Sequence, residues 1–288
     1  MEYVNLAIDG IVLGCAYAFV ALGFHLIYRT SGVLDFAQGD KAVIGGLIAL
    51  DLVDAHVPLL VTLPLVIVIG FALGIVYEVV VIRYTRRLGI VPAIIATVGA
   101  SLLLENGQQM IWGSNSSPLP SLTSGGFHIG SINILWQNIW TVGILVLAVL
   151  GLMWFLNRTP FGKGMVASAS DPVAAATLGI NPSLVRSVAF GLAFSLAVVG
   201  GVLVAPFTLV GGAIGATFTL KGFTGAILGG LESAVGVVVG AIMLGLVESI
   251  GGKFIPNSYL NPVDYTILLV VLLIKPSGLM GPRRQRLA

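Results

Sequence analysis

Gln38-Gly39-Asp40-Lys41 sets an amide, a carboxylate and an ammonium side by side within an apolar stretch. Such groups can neutralise each other, pair with a neighbouring helix, or line a route for a polar solute. Ionisable groups inside a membrane are costly and point to function by default. The glycine beside them, early in an apolar run, suggests a broken or re-entrant helix. Glu105-Asn106 with Gln108-Gln109 forms a second polar cluster, suited to interhelical hydrogen bonds or to the same route. The candidate path residues are Gln38, Gly39, Asp40, Thr97 and Glu105. Elsewhere the expectations are structural. Asp9 suits a snorkelling interfacial position and His25 a hydrogen bond to a neighbouring backbone. Glu78 is close enough in sequence to Arg83 for an interfacial ion pair, and Glu232 and Glu248 border a late apolar run.

Patterns for catalysis do not emerge. The sequence has no His-Glu-x-x-His, no Gly-x-Ser-x-Gly and a single cysteine, Cys15, so no disulfide framework is possible. No Gly-x-x-x-x-Gly-Lys-[Ser/Thr] loop is present to cradle ATP phosphates, and active transport would need energy from another chain. An ion-coupled carrier would instead need midplane carboxylates that titrate, for which Asp40 and Glu105 are the candidates. Val12-Leu13-Gly14-Cys15 faintly resembles a lipoprotein cleavage site. Glu2 and Asp9 stand where such a leader is basic, and the apolar run continues past the cysteine, so no cleaved signal is expected.

The segment 158–186 carries a different signal. In Asp171-Pro172-Val173-Ala174-Ala175-Ala176-Thr177-Leu178-Gly179, Asp171 suits an N-cap and Pro172 the first helical position. The alanines and Leu178 favour helix, and Gly179 suits a left-handed stop. A helix over 172–178 is too short to persist alone in water. It must dock on a partner or on the chain's own inner face.

The elements that hold these groups follow from composition. Of 288 residues 57% are hydrophobic and 9% charged, against about 25% charged in soluble domains. A chain so poor in polar surface must face lipid. Apolar runs near the ~20 residues a spanning helix needs fall at 4–28, 33–54, 58–82, 90–112, 138–157, 187–210, 215–231, 234–253 and 262–275. They predict a single all-α polytopic bundle over 1–288, with about nine spans in a range of 8–10. Trp112, Trp136, Trp140 and Trp154 lie near span ends, as an interfacial belt requires. Glycine pairs such as Gly10/Gly14 and Gly236/Gly240 suit close helix packing. Cations gather at Arg29, at Arg83, Arg86 and Arg87, at Arg158, Lys163 and Arg186, and at Lys275, Arg283, Arg284 and Arg286, while 113–137 has none. That asymmetry puts 158–186 and the C-terminus in the cytoplasm, with loop 113–137 and the N-terminus outside. Lys221 and Lys253 then fall on the outer side. Phe127 to Ile134 suits a short strand or hairpin, and Asn115-Ser116-Ser117 matches a glycosylation sequon.

Six blocks in order then resemble the branched-chain amino acid ABC transporter permease family, in particular the shorter of that system's two permeases. They are Ala21 to Asp40, Ile95 to Ser101, Ala167 to Ile180, Leu228 to Ser233, Leu244 to Glu248 and Lys275 to Gly281. Asp35 departs from the Asn usual in the family, and Val166 precedes Ala167 where many members have Arg. The resemblance implies a type II importer permease fold in a bacterial or archaeal inner membrane. It also implies a path for branched-chain or related amino acids, with urea, short amides or other small solutes as the alternative. Coupling to the ATPase would run through Ala169, Asp171, Pro172, Ala175, Leu178 and Gly179. The implied partners are a second, longer permease chain, two ATP-binding subunits, an extracytoplasmic solute-binding protein and membrane lipid, with no cofactor, metal or nucleic acid.

Overall fold

A computed structural model describes all residues except 1, 114–118, 120–122, 124, 130–131, 208–213, 255, 257–258, 276 and 282–288. The sequon and Arg283, Arg284 and Arg286 lie outside the described residues. Lipid offers no hydrogen bonds, so a spanning backbone must satisfy its own polar groups. The described residues are accordingly helical nearly throughout. In order they form α1 (Glu2–Ser31), α2 (Gln38–Asp54), α3 (Leu59–Tyr77), α4 (Arg83–Thr85), α5 (Ile90–Trp112), α6 (Trp136–Arg158), α7 (Pro160–Ser170), α8 (Pro172–Thr177), α9 (Pro182–Val204), α10 (Ile214–Gly229), α11 (Ala234–Gly251) and α12 (Leu260–Ile274). Glu78–Ile82 is a π-helical turn joining α3 to α4, and Arg86–Leu88 a 3-10 turn. The expected hairpin is present as antiparallel β1 (Gly126–Ile129) and β2 (Ile132–Leu135), with Phe127 opposite Ile134.

Among the described residues six helical segments are long and apolar enough to cross a membrane, including one continuous run from Leu60 to Leu88. α2, α10 and α12 are shorter, at 17, 16 and 15 residues. α2 is short for a visible reason: residues 32–35 are irregular and the helix starts only at Gln38, so the polar cluster Gln38–Lys41 forms its first turn and is not itself the break. α9 starts at Pro182, earlier than the run at 187, because Asn181 caps it by accepting from Ser183 N and Leu184 N.

α1 is the central post. It packs most extensively on α11, and then on α9 and α10. A Cβ at Gly14 would lie 2.6 Å from Ile242 Cα, and one at Gly10 2.9 Å from Leu246 Cα. Only glycine permits this approach, which is the van der Waals route to helix association in lipid. α3 lies along α9, and α2 is wedged between α9 and α10. α5 and α6 are mostly exposed and carry lipid-facing apolar surface.

Candidate functional site

The irregular turn before α2 is closed by a buried polar network. Lys41 and Asp35 form an ion pair, both side chains 0% exposed. Tyr77 Oη donates to Asp35 Oδ1 at 2.8 Å and Gln38 Oε1 accepts from Lys41 Nζ at 3.2 Å. The ammonium also sits 4.0 Å from the Tyr77 ring centroid, a favourable desolvated geometry. Gln38 Nε2 donates to Ala193 O on α9 at 2.8 Å, and Gly39 N to Thr219 Oγ1 on α10 at 2.8 Å. Of the alternatives for Asp40 and Lys41, the structure has them pairing elsewhere and not with each other. Adjacent helical residues point in different directions, and Asp40 turns to α5, where it accepts from Ser101 Oγ.

α5 presents a polar stripe to that side. Thr97, Ser101, Glu105, Gln108 and Trp112 share one face at helical spacing. Three of them touch the α2 side. Thr97 Oγ1 accepts from Phe36 N at 3.2 Å, Ser101 holds Asp40, and Trp112 Nε1 donates to Asp51 Oδ2 at 2.7 Å. Gln108 lies between them, 3% exposed, and neither of its amide atoms has a hydrogen-bond partner; Asp40 Oδ1 is also buried without one. In the Glu105–Gln109 cluster, Asn106 bonds its own helix at Leu102 O. The structure thus brings Gln38, Gly39, Asp40, Thr97 and Glu105 to the neighbourhood of α2 and α5.

A second buried cation was missed by sequence reasoning. Lys221 is not on the outer surface. It pairs with Glu248 and lies 3.7 Å from Asp264, and Tyr17 Oη donates to Glu248 Oε2 at 2.8 Å. These groups come from α10, α11, α12 and α1. Separations such as 231 residues between Tyr17 and Glu248 leave no local trace.

At the other end, Glu78 is fully buried. Besides the expected Arg83, at 3.0 Å, it takes Arg186 at 2.7 Å and Ser187 at 2.7 Å. Arg86 Nε donates to Ser31 O at 3.0 Å. The ends of α1 and α3 and the start of α9 therefore meet. His25 Nδ1 contacts Leu231 O at 2.7 Å, the backbone role expected of it.

The segment 158–186 is more ordered than expected. Thr159 accepts from Gly162 N and starts α7, a helix the sequence reading overlooked although Thr159-Pro160 is a cap-and-Pro signal. Asp171 Oδ1 then accepts from Val173 N at 2.9 Å and Ala174 N at 3.0 Å, and Pro172 opens α8. Gly179 has φ +83. Leu178 is the C-cap, so the helix ends at Thr177. Of the three alanines, Ala174 and Ala176 are exposed. Ala175 is 2% exposed and turned into the chain, while Val173 and Leu178 stand 75% and 79% exposed. Ala169 and Pro172 are exposed too.

The family described as branched-chain amino acid transport system / permease component matches residues 6–275. The chain belongs to this permease family. It is 31% identical over 290 residues to the high-affinity branched-chain amino acid transport system permease protein LivH of Escherichia coli K12, covering 95% of this chain and 94% of the relative. BraD, the corresponding permease protein of Pseudomonas aeruginosa, is 29% identical over 97% of this chain and 96% of its own length. The ribose import permease protein RbsC of Haemophilus influenzae is 23% identical over 89% and 80%. As a member of the permease family, the chain is a multi-pass membrane transport component with an all-α bundle of the type II importer class.

Proposed function

We propose that this chain is the membrane-spanning permease subunit of an ATP-driven importer in the inner membrane, passing branched-chain or related amino acids. A second permease, two ATP-binding subunits and an extracytoplasmic solute-binding protein complete the assembly. Its likeness to LivH and BraD over nearly the whole chain supports the solute class. The observation that carries the coupling is α8, a capped helix with its two largest apolar side chains exposed. Val173 and Leu178 enter a groove on the ATPase, and Asp171, Pro172 and Gly179 keep the peg from fraying. Movement of α8 reaches the bundle through α9, whose Arg186 holds Glu78. The route runs beside α2 and α5, past Asp40, Glu105 and Gln108. The basic ends of α1 and α3, with α7 and α8, face the cytoplasm, and the β1–β2 hairpin faces outward.

The test uses the assembled complex in vesicles. Leu178→Ser removes an exposed side chain and should leave the permease at wild-type level while lowering ATPase association and uptake together. Ala175→Pro, which deletes the bond from Ala175 N to Asp171 O, should do worse. Retained coupling in both variants would refute the assignment, and uptake that needs no ATP would replace an importer with an ion-coupled carrier. Orientation is tested separately: an impermeant thiol reagent should modify Thr123→Cys in intact cells and spare Ser170→Cys, with Cys15 silent at 1% exposure. The solute is read from what the binding protein encoded beside this chain retains; a sugar or urea would change the solute class only.

A further inference from the structure

Opposite the coupling end, a cavity of about 450 Å³ lies between the N-terminal half of α1, the first turn of α6, the ends of α9 and α11 and the start of α12. Its size is that of a small-molecule site. We infer that this cavity binds a primary ammonium group carried on a short apolar body.

The lining is rich in acceptors and poor in positive charge. Asp9 and Glu248 both line it, and no Lys or Arg does among its described residues. Behind Glu248, the single ammonium of Lys221 serves two carboxylates, since Asp264 is 3.7 Å from it and keeps a buried Oδ2 with no hydrogen bond. Glu248, Asp264 and Asp9 stand against Lys221 and, next to the lining Gly252, Lys253, which leaves more carboxylates than ammonium groups beside the cavity. Near lipid such an excess is costly unless a cation arrives. Asn138, 6% exposed, also lines the cavity, and its Oδ1 is buried without a partner. Ser249 also lines the cavity and already gives its proton to Leu6 O at 2.7 Å, so its oxygen can only accept from a ligand. An ammonium brings three donors to such a set. The remaining wall, including Val12, Phe207 and Leu260, suits an apolar tail.

Two sources share this chemistry: the amino group of a solute in transit and the ethanolamine headgroup of a lipid. The site does not depend on the import reading, and its failure would leave the α8 test untouched. The experiment places Ser249→Cys, in a Cys15→Ala background, in the full complex in lipid nanodiscs and follows the rate of thiol labelling. Leu260→Cys is the second reporter should the first fail to assemble. In phosphatidylcholine alone, isoamylamine should slow labelling several-fold and isocaproate should not, and Asp9→Asn or Asn138→Leu should each remove the protection. Slow labelling whenever phosphatidylethanolamine is present, with no further effect of amine, assigns the site to the headgroup. Equal rates in both lipids, with protection by leucine as well as by isoamylamine, assign it to the solute. Protection by isocaproate equal to that by amine, or no protection by amine or lipid, overturns the inference.

Discussion

Lys41 and Lys221 are both ammonium groups inside the bundle, and they are held in opposite ways. Lys41 is fully buried with one carboxylate in ion-pair reach, and that carboxylate is itself held by Tyr77 Oη at 2.8 Å and by Ala37 N at 3.1 Å. Asp35, Lys41, Tyr77 and Gln38 each have a partner within the cluster or on α9. Lys221 has two carboxylates within 4.0 Å, one of them 13% exposed and lining a cavity. The first arrangement pins an irregular turn between α1 and α2 to α3 and α9. The second leaves charge over, next to space. Matched charge marks a clamp, and unmatched charge beside a cavity marks a place where something binds.

The largest effect is expected from breaking the clamp. Asp35→Asn leaves Lys41 buried and uncompensated, and losing one partner of a buried pair costs ~3–5 kcal/mol. The measurements are membrane yield and the thermal midpoint of the purified complex, and both should fall sharply. Asp35→Asn with Lys41→Met removes both charges and should recover most of the loss. Asn is also the residue that the family resemblance leads one to expect at 35, so the double variant tests whether Asp35 and Lys41 are one coupled feature. A single Asp35→Asn variant as stable as wild type would mean that Lys41 relies on Asp40 instead, and the contrast would collapse.

Next comes Lys221→Met. Glu248 keeps the Tyr17 hydroxyl and borders the cavity, so water can reach it. The cost should fall at or below the low end for a broken buried pair, ~3 kcal/mol. A loss equal to that of Asp35→Asn would make both lysines clamps.

These pairings were the part of the molecule that the sequence did not reveal. Span positions were legible because apolar runs have a length that a bilayer dictates. The cap, start and stop of α8 were legible because capping chemistry is local, whereas the polar cluster at Gln38–Lys41 pointed to a break inside α2 that lies just before it instead. Asp35 and Lys41 meet across an irregular turn and not at helical spacing, so no periodicity pointed to their pairing. Lys221, Glu248 and Asp264 come from separate helices whose faces are almost uniformly apolar, so nothing in the pattern told which side of each helix met which. The π-helical turn at Glu78–Ile82 had no residue signature either.

A smaller pair of changes sharpens the comparison at the level of one hydroxyl. Tyr77→Phe deletes a donor to a carboxylate that is 0% exposed, at ~1.5 kcal/mol. Tyr17→Phe deletes the matching donor to Glu248, which has water nearby, and should cost less. Thermal midpoints of the two variants, measured side by side, should keep that order.

Asp264→Asn should have the smallest effect and the opposite sign to its counterpart at 35. Asp264 is 1% exposed, 3.7 Å from Lys221, and its Oδ2 has no hydrogen bond. Glu248 already neutralises that ammonium at closer range. The second carboxylate therefore bears a desolvation cost with weak return and repels the first. Asn keeps the shape and drops a desolvated charge whose partner is already neutralised by Glu248, so the thermal midpoint should be unchanged or slightly raised. The same substitution should weaken protection of the Ser249→Cys reporter by isoamylamine, because part of the negative excess is gone. Stability and ligand response would then move in opposite directions from one residue, as expected of a group kept for binding. If Asp264→Asn destabilises as Asp35→Asn does, Lys221 is locked by both carboxylates, and the two buried cations differ only in address.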